Sequence, residues 1–202
     1  MFCLKKRINA LSLWLTARGN KVAAKSVSHF ADGLIPIDQP PKDSPEELDV
    51  VIRQHSNNFS TKIMADDLDE RVEQLFDGIL TDNGHSSYLE HIEGLSKEIV
   101  PIIRSLKSFF NRPRPSKYAL DLGISWSGDD SEMKTVDSPS YPSGHTAQAY
   151  YIAHNLAAIH PDLSEELFGL AELVAQSRID RGVHYPSDLE GGRDLAKHLF
   201  EN

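Results

Sequence analysis

His184 precedes Asp188 by four residues in the run Ser177-Arg178-Ile-Asp-Arg-Gly-Val-His184-Tyr-Pro-Ser-Asp188. A neutral imidazole can attack phosphorus if a carboxylate fixes its tautomer and stabilises the positive charge that develops on it. His184 is therefore a candidate nucleophile and Asp188 its partner, while Arg178 can fork hydrogen bonds onto oxyanion oxygens. The plain alternative is a surface histidine, with Asp188 favouring a helix N-terminus. Taken alone, the block favours that alternative.

A second block, Lys107-Ser-Phe-Phe-Asn-Arg112-Pro-Arg114-Pro115, lies in a stretch with no carboxylate from Ile99 through Leu120. Lys107 offers a compact charge and Arg114 a planar fork, a pairing suited to phosphate. A basic helix end that merely complements the C-terminal dipole is the competing reading. The third block is Tyr141-Pro142-Ser143-Gly144-His145-Thr146. Free N–H groups at a helix start, the Ser143 hydroxyl and a glycine permitting close approach make a phosphate cradle with His145 at its lip. An ordinary serine N-cap followed by an incidental histidine explains the tetrapeptide equally well.

The three blocks together exceed their separate alternatives. Lys-x6-Arg-Pro, Pro-Ser-Gly-His and Ser-Arg-x5-His-x3-Asp, in this order, resemble the signature of the type 2 phosphatidic acid phosphatase (PAP2) superfamily. That superfamily includes bacterial class A non-specific acid phosphatases and vanadium haloperoxidases. Its eleven defining positions are matched by Lys107, Arg114, Pro115, Pro142, Ser143, Gly144, His145, Ser177, Arg178, His184 and Asp188. The resemblance implies that Lys107, Arg114, Arg178, Ser143 and the Gly144 N–H bind phosphate oxygens. His184 would attack, Asp188 would orient it, and His145 would protonate the departing alkoxide before activating water.

A small-molecule phosphate ester is the expected substrate, with no metal or other cofactor and with vanadate an expected inhibitor. A vanadate-dependent haloperoxidase and a phosphate-binding protein without turnover are the competing readings. Haloperoxidases of this kind are usually much larger than 202 residues. The seven other histidines form no HExxH or Cys/His pattern. Arg112, Lys117, Asp180 and Arg181 neighbour the signature without defining it.

Positioning these blocks calls for helices. Ser44 and Pro45 read as an N-cap and first helical position, opening a helix to about Phe59. Met64, Leu68, Val72, Leu75 and Ile79 form a stripe that Asn83 and Gly84 stop. Tyr88, Ile92, Leu95, Ile99, Ile102, Leu106 and Phe109 form a longer one, with Pro101 a candidate kink and Pro113 and Pro115 its end. Residues 116–141 read as a long loop; helices are expected over Gly144–Ile159 and from Ser164 to about Ile179, and another begins at Pro186. With no strand series and no internal repeat, the fold class is all-α, a compact helical bundle.

One domain over 1–202 is expected, with a helix and connector over 1–45. Leu4, Ile8, Leu11 and Leu15 fit one face of an amphipathic helix; Lys5, Lys6 and Arg7 before an interrupted apolar stretch only faintly resemble a secretory signal. Cys3, the one cysteine, excludes an internal disulfide, and a net charge of −9 opposes broad attraction to nucleic acid. No apolar run approaches the roughly 18 residues of a membrane span. A cytoplasmic location is expected, with export to the periplasm the alternative, and the oligomeric state is left open.

Overall fold

Local chain chemistry sets the ends of the helices that carry the three blocks. The computed structural model describes residues 37–41, 44–57, 68, 69, 71–126 and 137–202. Its helices are α1 (Pro45–Asn57), α2 (Val72–Asp82), α3 (Leu89–Phe110), α4 (Pro115–Asp121), α5 (Gly144–Ile159), α6 (Ser164–Asp180) and α7 (Pro186–Glu201). A 3-10 turn, Pro161–Leu163, joins α5 to α6, and no strand occurs among the described residues. The fold is all-α.

α3 runs through Pro101 and stops at Asn111, whose left-handed φ of 46° lets its N–H close onto the Lys107 carbonyl. Asparagine tolerates that conformation, and Pro113 prevents resumption of the helix. α6 ends on Gly182, with φ of 74°. The Val183 N–H reaches the Arg178 carbonyl and the Gly182 N–H that of Ile179, the paired bonds of a Schellman motif. A positive φ favours glycine there, and the turn launches Val183 and His184. α7 then opens with Tyr185 extended as N-cap, Pro186 at the first position and Asp188 capping the Tyr185 N–H at 2.9 Å.

These helices bring four ends together. α3 and α6 arrive by their C-termini and α5 and α7 depart by their N-termini, the Ser143 N–H bonding the Asp188 carbonyl at 2.9 Å. Ile92, Leu95, Ile99, Ile102 and Leu106 of α3 are buried beside Ala149, Ile152 and Leu156 of α5 and Leu167 and Val174 of α6. A second cluster joins Leu48 and Val51 of α1 to Ala119, Ala175, Ile179 and Leu189. Burial of about 25 cal/mol per Å² of apolar surface drives both.

Two expectations change. Residues 115–121 are helical, not loop: Arg114 is extended before Pro115, and Ala119 is buried in the second core cluster. The Ser, Asp and Gly content further along masked this short helix. The stripe from Met64 does not run as one helix, because Arg71 is non-helical at φ −129°, ψ 26°. α2 consequently buries Val72, Phe76 and Leu80, leaving Leu75 and Ile79 at the core's edge. The expected N-terminal helix, Met64, the end of the helix after Pro45 and positions 36, 42 and 43 of the connector lie outside the described residues.

Gly192 is where α7 meets the start of α5. A Cβ there would lie 2.9 Å from the Ser143 carbonyl oxygen and 3.0 Å from the Thr146 Cβ. Alanine gains about 1 kcal/mol of helix propensity over glycine, but overpacking against backbone costs about 1–3 kcal/mol. Gly192→Ala is expected to be net destabilising, read as a lower urea midpoint at unchanged slope; an unchanged or raised midpoint would contradict this close approach.

Candidate active site

His184 leaves the α6–α7 turn buried, its Nδ1 3.0 Å from Asp188 Oδ2 and its Nε2 3.0 Å from Arg114 Nη1. The tautomer follows from these partners. A carboxylate accepts the Nδ1 proton, so Nε2 carries the lone pair that Arg114 meets as a donor. Burial, followed by the charges of Arg114, Lys107, Arg178 and His145, holds His184 well below the ordinary histidine value. The imidazole is neutral at neutral pH, which an attacking nitrogen requires.

Asp188 has no exposed surface. Arg112 Nη1 donates to its Oδ1 at 2.7 Å, and the Tyr185 N–H donates to Oδ2 at 2.9 Å. Burial, the larger influence, raises this carboxyl above its ordinary value, and the Arg112 charge and the Tyr185 N–H oppose that rise. Every hydrogen-bonding group described here as facing it is a donor, the arrangement of an ionised acceptor. Arg112 is itself anchored: Nη2 donates to Glu47 Oε2 at 2.8 Å, Nη1 to Ser187 Oγ at 2.7 Å, and its guanidinium lies 4.1 Å from the Tyr185 ring centre. Glu47 also accepts the Ser187 N–H at 2.7 Å, tying α1 to the start of α7.

The cations form the opposite wall. Arg114 donates through Nε to Ser138 O at 2.9 Å and through Nη1 to Val183 O at 2.8 Å, bridging the loop before α5 and the turn after α6. Lys107, buried, bonds the carbonyls of Pro139 and Ser140. Burial, then the Arg114 charge, lowers it to about 7, and a negative charge placed beside it would favour the ammonium form. Gly144 lies beside it; a Cβ there would stand 3.8 Å from Lys107 Cε. Ser143 is the α5 N-cap, accepting from the Thr146 N–H at 3.4 Å and Oγ1 at 2.9 Å. The capping role and the cradle role coexist, because the Ser143 hydroxyl proton is separate from the lone pairs so engaged.

Arg178 and His145 complete the set. Arg178 turns Nε and Nη2 onto Ser177 Oγ at 3.0 and 2.8 Å, while its Nη1 pairs with Asp69. His145 Nε2 lies 2.9 Å from the same Asp69 Oδ1. All eight candidate residues thus converge at the four helix ends. Sequence reasoning set Arg112 aside and did not single out Glu47 or Asp69. For Arg112 a signal existed: a buried carboxylate such as Asp188 demands a cation, and Arg112 was one of the few in the block. Glu47 carried only the signal of an acidic residue in a first helical turn.

The model of the PAP2 superfamily matches residues 94–199. The chain belongs to the PAP2 superfamily. This PAP2 chain is similar to the non-specific acid phosphatase of Providencia stuartii, 31% identical over 93 residues that make up 46% of this chain and 36% of that protein. It is 34% identical over 89 residues to the non-specific acid phosphatase of Salmonella typhi, covering 44% of this chain and 34% of that one. The matches thus span about a third of the length of these curated relatives. The crystal structure of a transmembrane PAP2-type phosphatidylglycerolphosphate phosphatase from Bacillus subtilis aligns over 100% of this chain and 94% of that chain, with 18% identity and a TM-score of 0.42. No helix among the described residues of this PAP2 chain is long and apolar enough to cross a membrane.

Arg112 and Asp188 supply a stability test. Their side chains are 3% and 0% exposed, so deleting one partner strands a buried charge, at a cost of about 3–5 kcal/mol. Arg112→Ala is expected to lose that amount in urea unfolding, whereas Arg53→Ala, whose pair with Asp49 is exposed, loses at most about 0.5 kcal/mol. Equal losses in the two variants would contradict the anchoring of Asp188 by Arg112.

Proposed function

We propose that this PAP2 chain is a phosphomonoesterase of the acid phosphatase kind, hydrolysing small phosphate esters through a phosphohistidine on His184 without a metal. The observation that carries the reading is the buried His184–Asp188 pair, its Nε2 directed at Arg114 beside Lys107 and Arg178. Phosphate would displace the Arg114 contact and present phosphorus to Nε2.

In the first step the Nε2 lone pair forms the N–P bond as the ester P–O bond breaks. Protonated His145 gives its proton to the departing alkoxide. Asp188 stabilises the positive imidazole ring, and Lys107, Arg114, Arg178, the Ser143 hydroxyl and the Gly144 N–H share the charge on the equatorial oxygens. In the second step His145, now neutral, takes a proton from water as its oxygen attacks phosphorus. The N–P bond breaks, and phosphate leaves with His184 neutral again.

Positioned proton transfer contributes about 10²- to 10⁴-fold, against the roughly 10²¹-fold demanded by the slowest monoester hydrolyses. Electrostatic stabilisation by the cationic pocket therefore carries most of the acceleration. Three protein cations supply it, which is the reason no divalent ion is needed. Vanadate, a tetrahedral oxyanion that readily becomes five-coordinate on accepting a nucleophile such as His184 Nε2, is expected to inhibit.

Acid operation follows from His145. Burial and then the Arg178 charge hold it below the ordinary 6.5, against the pull of Asp69. His145 must be protonated for the first step, so kcat/KM, which reports the free enzyme, falls as pH rises through that lowered value. The test is hydrolysis of glycerol 2-phosphate, whose alkoxide needs its proton, in the presence of EDTA. Expected is turnover whose kcat/KM declines from below about pH 6.5 upward; absence of turnover, or turnover abolished by EDTA and restored by a divalent ion, would contradict the reading.

A further inference from the structure

Asp69 lies in the segment before α2, remote in sequence from all three signature blocks, yet it touches two of them. One oxygen, Oδ1, meets His145 Nε2 at 2.9 Å and also pairs with Arg178 Nη1; Oδ2 lies 3.9 Å from Arg181 Nη1. Its side chain is 13% exposed and that of Arg178 is 1% exposed, so little water competes for these bonds. Burial would raise the Asp69 carboxyl, but the hydrogen bonds and charges of His145 and Arg178 outweigh it and hold the group far below the usual carboxylate range. These partners favour the ionised carboxylate.

From this geometry we infer that Asp69 is a positioning residue: it holds His145 by Nε2 for proton transfer, and it occupies Arg178 until phosphate takes that arginine over. The inference rests on the phosphatase reading and deepens it at the same site. With Nε2 engaged by the carboxylate, Nδ1 is the nitrogen that serves the leaving oxygen. In the first step the Nδ1–H bond breaks, the leaving oxygen gains the proton, and the Nε2–H stays on its nitrogen, donated to Asp69 as a hydrogen bond. The neutral imidazole that remains has its lone pair on Nδ1, the tautomer that accepts a proton from water in the second step. Asp69 takes no proton in either. The two histidines are thus backed in mirrored fashion, His184 by Asp188 at Nδ1 and His145 by Asp69 at Nε2.

The second half of the inference concerns phosphate. A carboxylate beside Arg178 neutralises part of the cation that the substrate needs, and it repels a dianion. Removing its charge frees Arg178 for phosphate while depriving His145 of its support. A residue of merely structural importance would weaken both functions together; Asp69 moves them in opposite directions.

Among the described residues, the charged and titratable groups around His145 are Asp69 before α2, Arg178 and Arg181 at the end of α6, His184 in the following turn, and Lys107 and Arg114 beyond Gly144. Asp69 is the one carboxylate among them, so its removal lowers the affinity of His145 for a proton. In Asp69→Asn the His145 ring, followed by its carbon-bound proton signals in NMR and assigned with His145→Gln, is expected to titrate about one unit lower than in the parent protein. Inorganic phosphate, titrated calorimetrically, is expected to bind about fivefold tighter. With glycerol 2-phosphate, kcat falls while KM also falls. Asp69→Glu, which keeps the charge, returns the titration toward the parent value and controls for damage to the fold.

An unchanged His145 titration in Asp69→Asn, or weaker phosphate binding, would overturn the inference. The NMR and calorimetric readouts do not require turnover. A parent protein that fails to hydrolyse the ester sinks the phosphatase reading alone; a parent that hydrolyses it, with an Asp69→Asn variant that leaves the His145 titration in place, sinks the role given to Asp69.

Discussion

The Asp188 carboxylate is fully buried at the first turn of α7, and the geometry of the site depends on its remaining ionised there. Its energy of desolvation would be several kcal/mol if nothing answered it. Arg112 answers with a charged hydrogen bond, and the Tyr185 N–H adds a second bond that also starts the helix. The remaining capacity goes to His184. One side chain consequently caps a helix, pins a histidine tautomer and fixes the place of an arginine whose far side is clamped by α1 through Glu47. Stability and chemistry are joined at this atom group, and neither can be altered alone.

The cationic wall would be costly without that anchor. Arg114, Lys107 and Arg178 each disfavour a positive His184, which keeps its lone pair available but would oppose the charge acquired in the N–P bond formation proposed above. Asp188 offsets that opposition when it matters, and the phosphate's own negative charge neutralises the cations. The pocket is therefore tuned for a state containing an anion. Lys107, lowered to about 7 by burial and the Arg114 charge, expresses the same tuning: a neighbouring phosphate would favour its ammonium form.

Much of this could be read from the chain because helix ends are local events. Pro45, Pro186, Ser143 and the Asn83-Gly84 pair announce starts and stops within a few residues, and α5 spans Gly144–Ile159 as its sequence suggests. The signature residues were legible because their three blocks occur together in the order of the PAP2 signature, whereas each block alone reads as well as an ordinary helix end. Pairings across the molecule were not. Glu47 reaches Arg112 over 65 positions and Asp69 reaches Arg178 over 109, and no periodicity encodes a contact between one carboxylate and one guanidinium so far apart. α4 escaped notice because seven residues are too few to show a stripe. α2 was out of phase because Arg71 interrupts a pattern that the sequence alone lets run on.

Attack by a neutral, Asp188-held His184 is the centre of this account, and covalent capture tests it most directly. The chain would be mixed with a radioactively labelled phosphomonoester, quenched within milliseconds, and the denatured protein exposed to acid and to base. The account predicts label that survives base, is lost in acid, maps to His184 and is absent from His184→Ala. An active preparation that shows no such label at any quench time, or that carries it on another residue, would contradict it.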